Sequence, residues 1–153
     1  MKTAAARRPE QPAAAAGDYR LEDQVGHLLR RAHQRHTAIF QQGFADLQLT
    51  PTQFAALAKI RDLGQVSQNQ LGRLTAMDPA TIQGVIQRLE ARKLIARQPD
   101  PDDRRCTILT LSAAGQALIA EAIQRGRAVT EATLAPLTPA ERQAFLTLLK
   151  RLT

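Results

Sequence analysis

A mainly α-helical chain carrying one small β-hairpin is what this sequence predicts. Three observations support that reading. Apolar residues recur at three- and four-residue spacing over most of the chain, the period of a helix with one buried face. Short helix-start signatures repeat between residues 50 and 80. At Leu94 the pattern changes to two brief β-prone runs on either side of a turn rich in proline and aspartate. Helices, then a hairpin, then helices make a winged helix-turn-helix over about residues 50–112, with the hairpin as the wing.

The first helix is expected over about residues 21–46, where Val25, Leu28, Leu29, Ala32, His36, Ile39, Phe40 and Phe44 form one stripe. "LTPTQFAALAKIRDLG" opens the next: Thr50 is placed to cap it, Pro51 fits the first turn and Gln53 completes a capping box. Phe54, Leu57, Ala58 and Ile60 supply its inward face, and Gly64 ends it. "VSQNQLGRLTA" repeats the device with Ser67 and Gln70, and Leu71 and Leu74 are expected to point inward. "MDPATIQGVIQRLEARKLI" uses it again, with Asp78 as cap, Pro79 in the first turn and Ile82, Val85, Ile86 and Leu89 as the buried stripe. "LIARQP" and "CTILTLS" then form the hairpin. Leu118, Ile119, Ala122, Ile123 and Val129 line a helix over 113–133. The last helix, 139–152, starts on a Thr138–Glu141 box and shows Phe145, Leu148, Leu149 and Leu152 on one side.

Residues 1–20, rich in Ala, Pro and Arg, are expected to be a disordered basic arm, and 21–153 a single domain. Lysine and arginine number 21 against 14 acidic residues, a net charge of +7. An excess of that sign suits a polyanion partner. The single cysteine, Cys106, excludes an intramolecular disulfide and agrees with a reducing cytoplasm. No apolar run approaches the roughly 18–20 residues that span a bilayer, so no membrane partner is expected. No Ser-His-Asp arrangement, P-loop, GxGxxG or HExxH appears, so no enzyme is expected, and no metal or cofactor.

In a helix-turn-helix the second helix enters the DNA major groove, its N-terminal residues against base edges. With its apolar stripe turned inward, that helix presents Pro79, Ala80, Thr81, Gln83, Gly84 and Gln87. Short side chains and a glycine admit close approach, and glutamine can grip adenine through its two-pronged amide. Ser67, Gln68 and Arg73 lie off the apolar face of the preceding helix, placed for phosphates. At the wing, "PDPDDRR" pairs turn formers with Arg104 and Arg105. An arginine at a hairpin tip suits the negative potential of a minor groove. Asp103 and Arg105, two apart in an extended tip, fall on one side, so Asp103 is expected to position Arg105.

These residues resemble the MarR family of bacterial transcriptional regulators. "LTPTQFAALAKI", "SQNQLGRLTAMDPATIQGVIQRLEARKLI" and "RQPDPDDRRCTILTLSAAG" hold the likeness, and the DRR wing and "LSAAG" helix entry are its most specific parts. It extends over about residues 21–152. It implies a homodimer whose N- and C-terminal helices (about 21–46 and 113–152) intertwine, two winged lobes on a pseudo-palindromic double-stranded operator, and repression relieved by a small aromatic acid. The apolar stripes on the flanking helices exceed what one small lobe can cover, which agrees with a shared helical interface. "LEDQVGHLLRRAHQRHTAIFQQGFADLQLTPTQFAALAKI" further resembles the subgroup that regulates nicotinate catabolism, which implies 6-hydroxynicotinate as effector. Regulation without any small ligand is the alternative, and cysteine redox sensing a further one; Cys106 lies in the wing strand, with no helix N-terminus to lower its pKa.

An aromatic acid needs a cation or hydrogen-bond donors for its carboxylate and an apolar slot for its ring. His33 and His36, three apart on one helix, are expected to hold the carboxylate. Phe40, Phe54 and Met77 flank the expected slot, with Arg20, Arg30 and Arg31 as nearby cations.

Overall fold

The computed structural model describes residues 19–101, 103 and 106–153. The arm expected over 1–20 lies outside them except for its last two residues, and so do Asp102, Arg104 and Arg105. Contacts divide the chain into one unit ending at His33 and a second running from Gln34 to Thr153.

The first unit holds a short 3-10 turn, Leu21–Asp23, and the first part of helix α1 (Val25–Gly43), whose remainder belongs to the second unit. The helix expected from residue 21 is broken there because Gln24 is extended, and its side-chain amide donates to the Arg20 carbonyl at 2.9 Å. Tyr19, Leu21, Val25, Leu28 and Leu29 are all exposed.

Beyond α1 come α2 (Pro51–Leu63), β1 (Gln65–Ser67), α3 (Gln68–Leu74), α4 (Pro79–Ala91), β2 (Ile95–Pro99), β3 (Thr107–Leu111), α5 (Ala113–Leu134) and α6 (Pro139–Lys150). The start signals act as the sequence indicates. Thr50 and Thr138 form complete capping boxes with Gln53 and Glu141, and Asp78 accepts from the amide of Thr81. Ser112, not marked as a cap in the sequence, accepts from the amide of Gly115. Ser67 caps α3 by accepting from the Gln70 amide.

The wing is wider than a hairpin. β1 joins it, giving a three-stranded antiparallel sheet of order β1-β3-β2 with Val66 opposite Leu109 and Arg97 opposite Leu109 on its other side. One core unites the second unit: Phe40, Phe44, Leu57, Ile60, Leu71, Ile86, Leu89, Leu109 and Ile119 are almost wholly buried. Burying a side chain of this size contributes about 1.5–3 kcal/mol before the entropy of ordering it.

Leu74 departs from expectation, being 47% exposed. The buried face of α3 is centred on Leu71 and Gly72, and Ile82 packs so closely on Gly72 that a Cβ there would meet its Cγ2 at 3.3 Å. At 100° per residue, Gly72 and Leu74 fall on opposite sides of Leu71, so burying one turns the other to solvent.

The "SAAG" entry to α5 is a close approach of backbones. Ser112 accepts from the Gly115 amide and donates to the Lys93 carbonyl at 2.7 Å. A Cβ on Gly115 would collide with the Leu94 carbonyl oxygen. Only glycine lets the first turn of α5 rest on the strand entry.

Candidate nucleic-acid interface

Helix α4 buries Ile82, Val85, Ile86 and Leu89 and exposes Pro79, Ala80, Thr81, Gln83 and Gln87. The outward set is the one the sequence marks for base contact. Two details refine it. The Thr81 hydroxyl donates to Asp78 Oδ2 at 2.5 Å, and its amide donates to Oδ1 at 2.9 Å. Its proton is thereby committed, so toward a base Thr81 offers lone pairs and a methyl group. Those bonds hold the Asp78 carboxyl below the usual carboxylate range. Gly84 is not an open notch: Arg88 folds back along the helix, and a Cβ on Gly84 would lie 3.5 Å from its Nη1.

A groove of about 270 Å³ runs between α3 and the start of α4, lined by Gln68, Asn69, Gly72, Arg73, Met77, Pro79 and Ile82. It brings together three residues expected to face DNA, Gln68, Arg73 and Pro79. Met77, expected beside an acid pocket, lines this groove. Ser67 is half-buried, with its hydroxyl engaged as the α3 cap.

At the wing tip the Cys106 amide donates to the Asp103 carbonyl at 2.8 Å, and the Asp100 amide donates to the Cys106 carbonyl at 3.0 Å. Asp103 is exposed and closes the turn through its backbone. Arg104 and Arg105 lie outside the described residues. The Asp103 carboxylate, chiefly by its charge, pushes the Cys106 thiol upward, and partial burial and Asp100 add to this. That is opposite to the shift a reactive thiolate needs.

Deeper in the second unit, aromatic rings gather. Phe40 stacks on Phe44 at 4.0 Å, and Phe54 sits edge-on to Phe44 at 5.1 Å and tilted to Phe40 at 6.0 Å. His36 approaches Phe40 at 6.4 Å. Phe54 is accommodated by Gly126 of α5, where a Cβ would fall 2.8 Å from its Cζ. His36 Nδ1 and Thr133 Oγ1 are 3.0 Å apart, and Thr133 donates to the Val129 carbonyl at 2.7 Å. The hydroxyl has one proton and spends it on Val129, so the hydrogen-bond network assigns Nδ1–H as the donor. Nε2 is then the ring atom left to meet a ligand. His33 is exposed on α1.

The MarR family model matches residues 49–107, from the start of α2 into the returning wing strand. The HTH-type transcriptional repressor NicR of Pseudomonas putida is 48% identical over 134 residues, which cover 88% of this chain and 85% of NicR. The chain belongs to the MarR family. Its fold is also that of Bordetella bronchiseptica BpsR, a protein whose DNA binding is regulated by 6-hydroxynicotinic acid. That match has a TM-score of 0.85 at 48% identity and covers 89% of this chain and 97% of BpsR. A mutant MarR from E. coli, solved in complex with operator DNA, shares the fold at 23% identity, with a TM-score of 0.78 over 83% of this chain and 91% of its own.

Within this MarR-family lobe the structure adds residues that the sequence did not single out. Arg88 lies on the exposed side of α4, and its i, i+4 relation to Gly84 was the available signal. Arg97 of β2 forms a two-pronged ion pair with Glu90 of α4. Arg125 of α5 holds Asp46 and Glu121 together and also donates to the Gly43 carbonyl at 3.2 Å, securing the end of α1. Among the described residues no cluster of His, Cys, Asp and Glu fits a metal ion, and no helix is long and apolar enough to cross a membrane.

Proposed function

We propose that this MarR-family chain is a homodimeric repressor that binds double-stranded operator DNA and lets go of it when a small aromatic acid binds. The observation that supports this most is the outer face of α4: Ala80, Thr81, Gln83 and Gln87 stand exposed on a helix that is capped at Asp78 and fixed by four buried residues on its other side. The wing arginines Arg104 and Arg105 supply minor-groove contacts, and Ser67, Gln68 and Arg73 flank the groove-reading helix at the phosphates.

Pairing rests on exposed apolar side chains. Phe145, Leu148 and Leu152 of the C-terminal segment are 41%, 56% and 72% exposed. On the first unit Val25, Leu28 and Leu29 are likewise uncovered. A second copy related by a two-fold axis covers side chains of this kind and sets two copies of α4 about 34 Å apart, one turn of DNA.

The acid is 6-hydroxynicotinate, by analogy with the ligand of BpsR. His36, oriented by Thr133, meets its polar groups through Nε2, and Phe40 and Phe54 border the ring. His33 assists from the preceding turn of α1, and Met77 lies beside α4.

Electrophoretic mobility shifts on the DNA upstream of the protein's own gene, at moderate salt, test this. A sequence-specific shift abolished by 6-hydroxynicotinate and spared by salicylate is expected. A shift indifferent to every acid removes the effector reading, and no specific shift removes the operator reading. His36→Ala is expected to weaken the acid at least tenfold with operator affinity kept; unchanged acid affinity excludes His36.

A further inference from the structure

The turn between α1 and α2 is fastened to the end of α4 by one side chain. Arg92, the residue that caps the C-terminus of α4, donates from Nη1 to the Gln48 carbonyl at 2.8 Å and from Nη2 to the Leu47 carbonyl at 3.1 Å. Two successive carbonyls can meet one planar fork only if both point the same way. Gln48 has φ +51°, and in the left-handed region neighbouring carbonyls align rather than alternate as they do in extended chain. A non-glycine residue in that region marks a backbone held by its surroundings, and the guanidinium is the group facing both carbonyls.

The same turn grows directly out of the aromatic cluster. The Phe44 amide donates to the Phe40 carbonyl at 2.9 Å, and the Leu47 and Gln48 amides both donate to the Phe44 carbonyl at 3.1 Å. Phe44 stacks on Phe40 and abuts Phe54. From ring to turn to guanidinium to helix end, the chain of contacts runs through Phe44 and Arg92 themselves, joined by ring contacts and hydrogen bonds. We propose that Arg92 is a positioning residue that couples the aromatic cluster to the recognition helix, so that an acid displacing Phe40 and Phe44 moves the Leu47 and Gln48 carbonyls and, with them, the end of α4. This rests on the effector reading above and goes beyond it by naming the connection through which the acid acts.

Arginine suits the role because its fork spans two acceptors; lysine concentrates its donors at one point. The test uses full-length Arg92→Lys and Arg92→Gln. Fluorescence anisotropy gives operator Kd with and without saturating 6-hydroxynicotinate, and calorimetry gives the acid's Kd for the DNA-free protein. Thermal unfolding checks that each variant is folded, and Arg92→Lys keeps the charge and the aliphatic stem should Arg92→Gln unfold. In the variants the acid's affinity for free protein stays within about twofold of the parent, whereas the ratio of the two operator Kd values falls at least fivefold. A merely structural role lowers the unfolding temperature and leaves that ratio alone. An unchanged ratio in a folded variant overturns the proposal, and so does a parallel loss of acid affinity, which puts Arg92 in binding rather than in transmission. If the parent protein itself ignores the acid, its flat control titration shows that the effector reading has failed, and this one falls with it.

Discussion

Arg97 and Glu90 are joined by two parallel hydrogen bonds, Nε to Oε1 and Nη2 to Oε2, each 2.9 Å long. One residue is on a wing strand and the other on α4, so the pair sets the angle between the two elements proposed to meet DNA. Both side chains are partly exposed, at 38% and 31%. An exposed pair contributes only about 0.2–1 kcal/mol to stability. Glu90→Gln is therefore expected to move the urea midpoint little and to weaken operator binding several-fold, since the wing loses its register on α4. Anisotropy at two salt concentrations checks this; full operator affinity in the variant refutes the bracing role.

Two glycine substitutions separate a rigid obstacle from a yielding one. In Gly115→Ala the new methyl meets the Leu94 carbonyl, a backbone atom fixed by the Ser112 amide bond. A loss of about 1–3 kcal/mol or more in urea unfolding is expected. In Gly126→Ala it meets the tip of the Phe54 ring, which can swing. That variant should lose less stability but shift 6-hydroxynicotinate affinity several-fold, because Phe54 borders Phe40. Equal stability losses in the two variants contradict this account.

Acid should erode two helix caps and one ion pair. Thr81 holds the Asp78 carboxyl, Arg125 the Asp46 carboxyl and Thr138 the Glu141 carboxyl, each below its ordinary range. A depressed folded-state pKa stabilises the fold above the unfolded value, about 4 for these groups, and the benefit disappears as pH drops through the folded value. Asp78→Asn keeps a good cap without the titration. Urea midpoints measured from pH 6 to pH 3 should fall less steeply in Asp78→Asn than in the parent; identical slopes exclude Asp78 as a contributor.

Arg88 and Arg105 should behave as phosphate or groove cations. Each alanine variant is expected to weaken operator binding and to lower the slope of log Kd against log salt by about one ion. A variant with unchanged affinity and slope excludes that arginine from the interface.

Helix starts were legible in the sequence because capping is local: Thr50, Ser67, Asp78 and Thr138 each find their partner three residues on. The stripe of α4 was legible for the same reason, since a short helix with four apolar residues has one way to turn. β1 was not, because only Val66 of its three residues is buried and its partner strand lies far along the chain. Leu74 misled because spacing gives a helical face without saying which half of it a neighbour covers. Arg92, Arg97 and Arg125 carry no periodic signal at all. Their partners are backbone carbonyls or carboxylates on other elements, and only the folded chain sets them opposite one another.

The central position of β3 has a consequence for how the protein is made. Gln65 at the entrance to α3 pairs with Thr110, and Ala96 just past α4 pairs with Thr110 from the other side. The α3–α4 pair is thus a loop of chain clasped at both ends by a single later strand. During synthesis both helices leave the ribosome before that clasp exists. Contacts so distant in sequence form late, so the nascent chain cannot hold α3 and α4 in their folded arrangement until residues through Leu111 have emerged.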